Sequence, residues 1–280
     1  MAIKSRFVLP RALVGAALIL WVAVAQAAEI RVMSSGGFTA AYNELVPEFE
    51  RTTHHKVLTG YGASMGNAPD SIPMRLQRGE PADIIILAAP ALDDFVKQGK
   101  VVPGSRVDLA RSSIAMVVRA GAPKPDIRTV EALKQTLLAA KSIAYSASAS
   151  GTYLSTELFP KLGIAEQLKP KVKRIESERV GTVVARGDAE IGFQQISELL
   201  PIPGLTMVGA LPPGAQRVTI FSAGLVMGSA EPKAATELIR YLAAAENSGV
   251  VSKTGLEPMK SESAPPAKVK QETREPALSR

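Results

Sequence analysis

The sequence predicts an α/β protein of two lobes, each a mostly parallel sheet flanked by helices, with two strands crossing between them. Short β-branched runs alternate with helical periods along most of the chain, which is the pattern of βαβ units. Its 280 residues give a soft prior of one large or two medium domains, each able to bury a core. Two apolar strands, at 114–118 and 218–227, have no helical period of their own and are suited to run between lobes as a hinge.

From the N-terminal side, Ile30–Met33 reads as a strand, and Phe38, Ala41, Leu45 and Phe49 then recur at the spacing of an amphipathic helix that Pro47 is positioned to kink. Val57–Gly60 is a second strand and Pro73–Arg78 a helical stretch. The unbroken apolar run Ile84–Leu87 suits a strand covered on both faces. Ala91–Gln98 is a helix with Gly99 as its stop signal. The pattern repeats with a strand at Ile114–Val118, then a helix capped by Thr129 and carrying Leu133 and Leu137, and a strand at Ile143–Tyr145. A helix from Gly151 to about Lys161, a strand at Val172–Ile175, a helix with Val180, Val183 and Val184, and a strand at Ile191–Phe193 complete the second half. Val218–Met227 is a longer strand, and Pro232 opens a helix with Ala235, Leu238, Ile239 and Leu242 inward. The division expected is residues 28–110 plus 230–258 for lobe I and 111–229 for lobe II.

The two ends differ from this body. Residues 1–27 carry Lys4, Arg6 and Arg11 and no acid, then an apolar run from Ala12 to Ala25 and small residues around Gln26. This is the grammar of a secretory signal peptide cut before Ala28, which places the mature protein in the periplasm; an uncleaved anchor is the alternative. Residues 259–280, most plainly from Ser261, are rich in proline and charge and poor in large aliphatics. Such a segment buries too little to offset its ordering entropy, so a disordered tail is expected.

Composition narrows the function. The chain is 46% hydrophobic and 21% charged with no cysteine, which excludes a disordered or disulfide-stapled protein. The net charge of +7 includes the three basic residues of the leader, and the mild remainder gives no footing for a nucleic-acid partner. Neither a phosphate loop nor a dinucleotide fingerprint is present, and no cofactor or metal is expected. His54 and His55 are adjacent and point different ways, as on a surface loop. Asp83, beside a buried strand, suits a structural hydrogen bonder as well as a base.

The informative residues stand just beyond the strands. Ser34-Ser35-Gly36-Gly37, Gly62-Ala63-Ser64, Ser146 to Thr152 and Gln194-Gln195 each lie where a strand ends. Beyond the carboxyl ends of parallel strands, hydroxyls and glycines let backbone N–H groups approach a dehydrated anion. Any one such junction is ordinary helix capping, but two in each half converge on a cleft between lobes. Arg75, Arg78 and Arg179 lie near these segments and suit either a larger polyanion or a solvated helix face.

Taken together along the chain, IRVMSSGGFTAAYNELVPEFE, the GYGASMGNAPDSIPMRLQRGEPADIIILAAPALDDFVKQGKV segment, ASASGTYLSTEL, GDAEIGFQQISELL and GLEP resemble the periplasmic molybdate-binding proteins of ABC transporters. The resemblance spans Glu29 to Pro258 and implies a two-lobed periplasmic binding protein fold closing on an oxyanion. Carried over by position, Ser34 or Ser35 and Ser64 serve from the first lobe, and Ser150, Gly151 and Thr152 from the second; Gly36 joins these binding residues from the junction after the first strand. It also implies an inner-membrane ABC permease as partner and a monomer in solution. Two departures stand out. Gly192-Phe193-Gln194-Gln195 replaces the Gly-Ile-Val-Tyr of molybdate binders, and Ser34-Ser35-Gly36-Gly37 replaces Ala-Ala-Ser-Leu. Carboxamides offer donors and an acceptor together, which suits a mixed polar ligand edge at Gln194 and Gln195.

The main reading is therefore a protein that captures a small anion, a molybdate-like oxyanion or an organic carboxylate, for an ABC importer. The alternative is an isomerase on the same scaffold, since the sequence is similar also to a periplasmic aconitate isomerase. That alternative requires a base near an acidic C–H. The sequence offers only Tyr61 and Tyr153 near the junctions, so it assigns no catalytic residue.

Overall fold

The computed structural model describes residues 27–259. Apart from Ala27 and Met259, the expected leader and tail lie outside the described residues. Among the described residues no helix is long and apolar enough to cross a membrane.

The first lobe begins with β1 (Glu29–Ser34), α1 (Gly36–Thr53), β2 (Lys56–Tyr61), α2 (Ile72–Gln77), β3 (Ile84–Ala88) and α3 (Ala89–Lys97). Ile30 and Val32 of β1 face the apolar stripe of α1, where Phe38, Tyr42, Leu45 and Phe49 are buried with them. Met33, Ile85 and Leu87 point the other way, against Ile72, Leu92 and Phe95. Both faces of β3 are thus covered, which is why its sequence is continuously apolar. Pro47 is accommodated inside α1, which runs on to a left-handed His54 at φ 61°. Gly99, at φ 69°, provides the expected turn beyond α3.

The chain then forms β4 (Val107–Ser112) and β5 (Ile114–Arg119), separated by Ser113 alone. β5 enters the second lobe, which continues through α4 (Val130–Ala139), β6 (Ile143–Ser146), α5 (Ala149–Tyr153), α6 (Phe159–Lys161), α7 (Ala165–Leu168) and β7 (Val172–Ile175). It is completed by α8 (Val180–Ala185), β8 (Ile191–Gln195), α9 (Ile196–Leu199) and β9 (Leu205–Ala210). The Thr129 hydroxyl accepts the Ala132 N–H at 3.1 Å, so this residue caps α4 as its sequence position predicts. The helix expected over 151–161 is instead α5 and α6 joined by a π-helical turn at Leu154–Leu158. One face of this sheet buries Ile114, Met116, Ile143 and Phe193 against Leu133 and Leu137. The other packs Ala115, Val117 and Ala144 on Val180, Val183 and Val184 of α8.

The chain returns through β10 (Thr219–Leu225), α10 (Pro232–Leu242), α11 (Ser248–Lys253) and β11 (Glu257–Pro258). The first sheet has the order β11-β4-β10-β3-β1-β2 and the second β7-β6-β8-β5-β9. Both are mixed. β2, β1 and β3 are parallel, as are β7, β6 and β8, while the remaining strands add antiparallel to one side of each set.

Two expectations shift here. β10 pairs with β3 and β4, so residues 219–225 belong to the first sheet and the chain leaves lobe II well before residue 230. The apolar strands do not themselves span the lobes: β5 lies wholly in one sheet and β10 in the other. The crossings are Ser113 and the segment 211–218. Gln216 ties them together, its Oε1 accepting the Ile114 N–H and its Nε2 donating to the Ile114 carbonyl, both at 2.9 Å.

Asp83 is a structural hydrogen bonder. One carboxylate oxygen accepts the Arg31 N–H of β1 at 2.8 Å, and the other accepts the Ser229 hydroxyl at 2.7 Å, the Ala230 N–H at 2.9 Å and the Glu231 N–H at 3.3 Å. Burial acts to raise its pKa, but the four donors outweigh burial and hold it below the ordinary value. Asp83→Ala should therefore cost about 2–4 kcal/mol in urea unfolding at neutral pH, by stranding those donors. Because the folded pKa is depressed, the wild-type advantage should persist above the unfolded carboxylate's pKa and fade as pH falls through the folded one.

Candidate functional site

The carboxyl ends of β1, β2, β6, β7 and β8 point into one cleft between the lobes, with a volume of about 340 Å³. The first lobe supplies Ser35 and Gly36 at the start of α1, Tyr61 to Ser64 after β2, and Asp70. The second supplies Ser146 to Ser150 after β6, Glu176 to Arg179 after β7, and Gln194, Gln195 and Glu198 at the end of β8 and in α9. The lobes touch across this cleft. The Ser64 N–H donates to the Ser148 hydroxyl at 3.2 Å, the Ser197 hydroxyl donates to the Gly37 carbonyl at 2.7 Å, and the Ser177 hydroxyl donates to Asp70 at 3.2 Å.

Several polar groups here have hydrogen-bonding capacity that the protein leaves unused. The Ser35 hydroxyl and the Gln195 Oε1 are buried with no partner, although such groups cost free energy when left unpaired. The Ser64 hydroxyl accepts the Ala88 N–H at 3.0 Å, which leaves its own proton to donate. The first N–H groups of α1 have no intrahelical acceptors and carry the positive end of an 18-residue helix.

Of the residues expected from sequence, Ser35, Gly36, Ser64, Ser150, Gln194 and Gln195 line the cleft. Three fall outside its lining. Ser34 is fully buried in β1, with its hydroxyl donating to the Ser35 carbonyl at 3.4 Å. Gly151 packs tightly on the Ser146 carbonyl, and Thr152 lies one residue further along α5. The carboxamides are largely committed to the protein. Gln194 accepts the Val180 N–H through Oε1 at 2.9 Å and donates to Glu198 through Nε2 at 2.9 Å. Gln195 donates to the Thr219 hydroxyl at 2.8 Å. Neither tyrosine considered as a base is arranged as one. Tyr61 donates to Asn43 at 2.6 Å, and Tyr153 donates to the Ala215 carbonyl at 3.0 Å.

The group that sequence reasoning missed is Glu198. Its carboxyl reaches across to the first turn of α1, where a side chain at Gly36 would meet it and force the carboxyl to shift. Burial pushes the carboxyl up to about 7, against the opposing effects of the Arg179 charge, the Gln194 amide and the Gln195 N–H. Gln195 is the N-cap of α9 and Glu198 stands three residues on, so the sequence signal was that of a helix cap. Ser146 and Ser148 also line the cleft, and in the sequence only their place in a serine-rich junction marks them.

Residues 30–257 match the model of the bacterial extracellular solute-binding protein family. The chain belongs to that family. It is 46% identical over 230 residues to an aconitate isomerase of a Pseudomonas species, covering 82% of this chain and 88% of the relative. It is 29% identical over 195 residues to the molybdate-binding protein of Azotobacter vinelandii, covering 69% and 75%. Among solved structures, the sulfate-binding protein of Mycobacterium tuberculosis aligns with a TM-score of 0.66 at 19% identity, over 84% of this chain and 88% of that one. The protein is thus a solute-binding protein of two-lobed α/β architecture with its cleft between the lobes.

If the cleft's hydroxyls donate directly to a charged ligand, Ser64→Ala and Ser150→Ala should each weaken ligand binding by about 1–3 kcal/mol. Calorimetric titration checks this, and unchanged affinity in both variants would remove the serines from the ligand's contacts.

Proposed function

We propose that the protein binds a small polycarboxylate in this cleft and isomerises it by moving a proton, with cis- and trans-aconitate as the fitting pair. The observation that carries this reading is Glu198. A carboxyl facing an anion's place works against passive capture, since like charges repel at short range. It is useful if it takes up a proton from the ligand and gives it back. The 46% identical relative is an aconitate isomerase, which favours the same ligand class. The size of the cleft agrees: about 340 Å³ falls within the range of small-molecule sites, roughly 300–1,000 Å³.

The chemistry balances within the ligand. Ionised Glu198 removes a proton from the methylene carbon, and the C–H electron pair forms a new double bond to the central carbon. The pair of the old double bond moves to the far carbon, which recovers the proton from the Glu198 carboxyl. Nothing is gained or lost, and no co-reactant is consumed. Charge that develops on the ligand's carboxylates is met by preorganised hydroxyl and N–H donors in a partly dry cleft. A second reading, capture of an anion for an inner-membrane ABC permease, is favoured by the family itself and predicts binding without turnover. Both readings place the mature, monomeric protein in the periplasm.

Glu198→Gln should lower aconitate conversion by about 10²–10⁴-fold while ligand-induced thermal stabilisation is kept. Full conversion by this variant would overturn the assignment, and binding by wild type with no conversion would favour capture. Because Glu198 acts ionised, the wild-type rate should rise with pH through an ionisation near 7. Stability should run the other way. The folded state keeps the Glu198 proton up to about pH 7, whereas the unfolded chain sheds it near 4.5, so stability falls between these values. Glu198→Gln should remove that fall from thermal unfolding curves measured against pH.

A further inference from the structure

Arg179 precedes α8 and, among the described residues, is the one arginine in the lining of the cleft. Nine arginines among the described residues sit within ion-pair distance of a carboxylate, including Arg75 and Arg78, which both pair with Glu80. Arg179 has no such partner among the described residues. Carboxylates do stand next to it in sequence, yet each is already taken. Glu176 pairs with Arg174 at 3.0 Å, and Glu178 pairs with Arg186 at 2.6 Å. The loop is therefore neutralised except at the one guanidinium that faces the cleft. That guanidinium lies close enough to act on the ionisation of Glu198 from the second lobe and of the Tyr61 phenol from the first. Its charge is thus felt from both walls, while the orphaned Ser35 hydroxyl and the Ser64 hydroxyl supply donors elsewhere in the same cleft.

We propose that Arg179 is the specificity-determining clamp of this cleft, receiving the second carboxylate of a di- or tricarboxylate whose first is held by the serine hydroxyls. The proposal rests on the polycarboxylate reading and sharpens it. A guanidinium presents a planar fork that matches a carboxylate in two parallel hydrogen bonds, a geometry that a lysine cannot reproduce.

The test uses tricarballylate, the saturated tricarboxylate, which has no double bond to move and so reports binding without turnover. Calorimetry on the full-length protein should show Arg179→Gln weakening tricarballylate binding about 10- to 100-fold, the value of one or two charged hydrogen bonds. Arg179→Lys should fall between the two. The unliganded melting temperature should stay at its wild-type value in both variants, which separates a lost contact from a damaged fold. Equal affinity in wild type and Arg179→Gln would overturn the clamp, and wild-type affinity in Arg179→Lys would overturn its planar, two-bond geometry. Wild-type binding through Arg179 without aconitate conversion would leave the clamp standing and sink the isomerase reading alone. Absence of any polycarboxylate binding to wild type would sink both.

Discussion

Gln194, the penultimate residue of β8, has both sides of its carboxamide in use, and the geometry of the cleft depends on how they are used. Through Oε1 it accepts the first N–H of α8, at Val180, and through Nε2 it donates to the Glu198 carboxyl. One side chain thereby fixes the position of the helix that begins after Arg179 and the orientation of the acid on α9. A carboxamide does this where a simple donor or acceptor would not, because it carries one of each on a rigid plane. The same bond also tempers Glu198: burial raises its pKa, the Gln194 donor lowers it, and the balance lies near neutrality. The two glutamines that distinguish this sequence from molybdate binders are thus explained first by what they hold inside the protein.

The lobes are connected in a way that makes this cleft a shared site. Ser113 alone separates the strand that ends in the first sheet from the one that begins in the second, and Gln216 pairs with the Ile114 backbone beside it as a strand would. Contacts across the mouth, from Ser64 to Ser148 and from Ser177 to Asp70, are individually weak and exposed to competition by solvent. The Ser197 hydroxyl bond to the Gly37 carbonyl adds a third, buried contact, beside which the Glu198 carboxyl reaches the first turn of α1. A ligand that engages hydroxyls of one lobe and a guanidinium of the other binds the closed arrangement better than the open one, and that difference is what shifts such an equilibrium.

Much of this was legible in the sequence because periodicity reports burial. The run Ile84–Leu87, the stripe from Phe38 to Phe49 and the Thr129 cap all appear in the structure where the pattern puts them. β4 and β9 were not legible. The first carries Asp108 and Arg111 within six residues, and the second is half-buried with Gly209 in it, so neither shows alternation or an apolar run. The lobe boundary was misplaced for a related reason: strand periodicity identifies β10 but does not say which sheet it joins. In the cleft, hydroxyls and glycines after strand ends marked the region correctly. Ser34 and Ser35 could not be told apart without the register, since successive residues at a strand end face opposite ways. Glu198 was hidden because a glutamate three residues after an N-cap has a sufficient local explanation, and only the approach of α1 from the other lobe gives it a second.

The measurement that bears most directly on Glu198 as a proton carrier is proton NMR of trans-aconitate incubated with the purified wild-type protein in deuterated buffer. Growth of the cis isomer's vinyl signal is expected, together with deuterium entering the ligand at the carbons that exchange with Glu198. Trans-aconitate whose resonances show binding, yet whose isomer composition and deuterium content do not change on prolonged incubation, would contradict that role and leave a protein that captures its ligand and releases it unaltered.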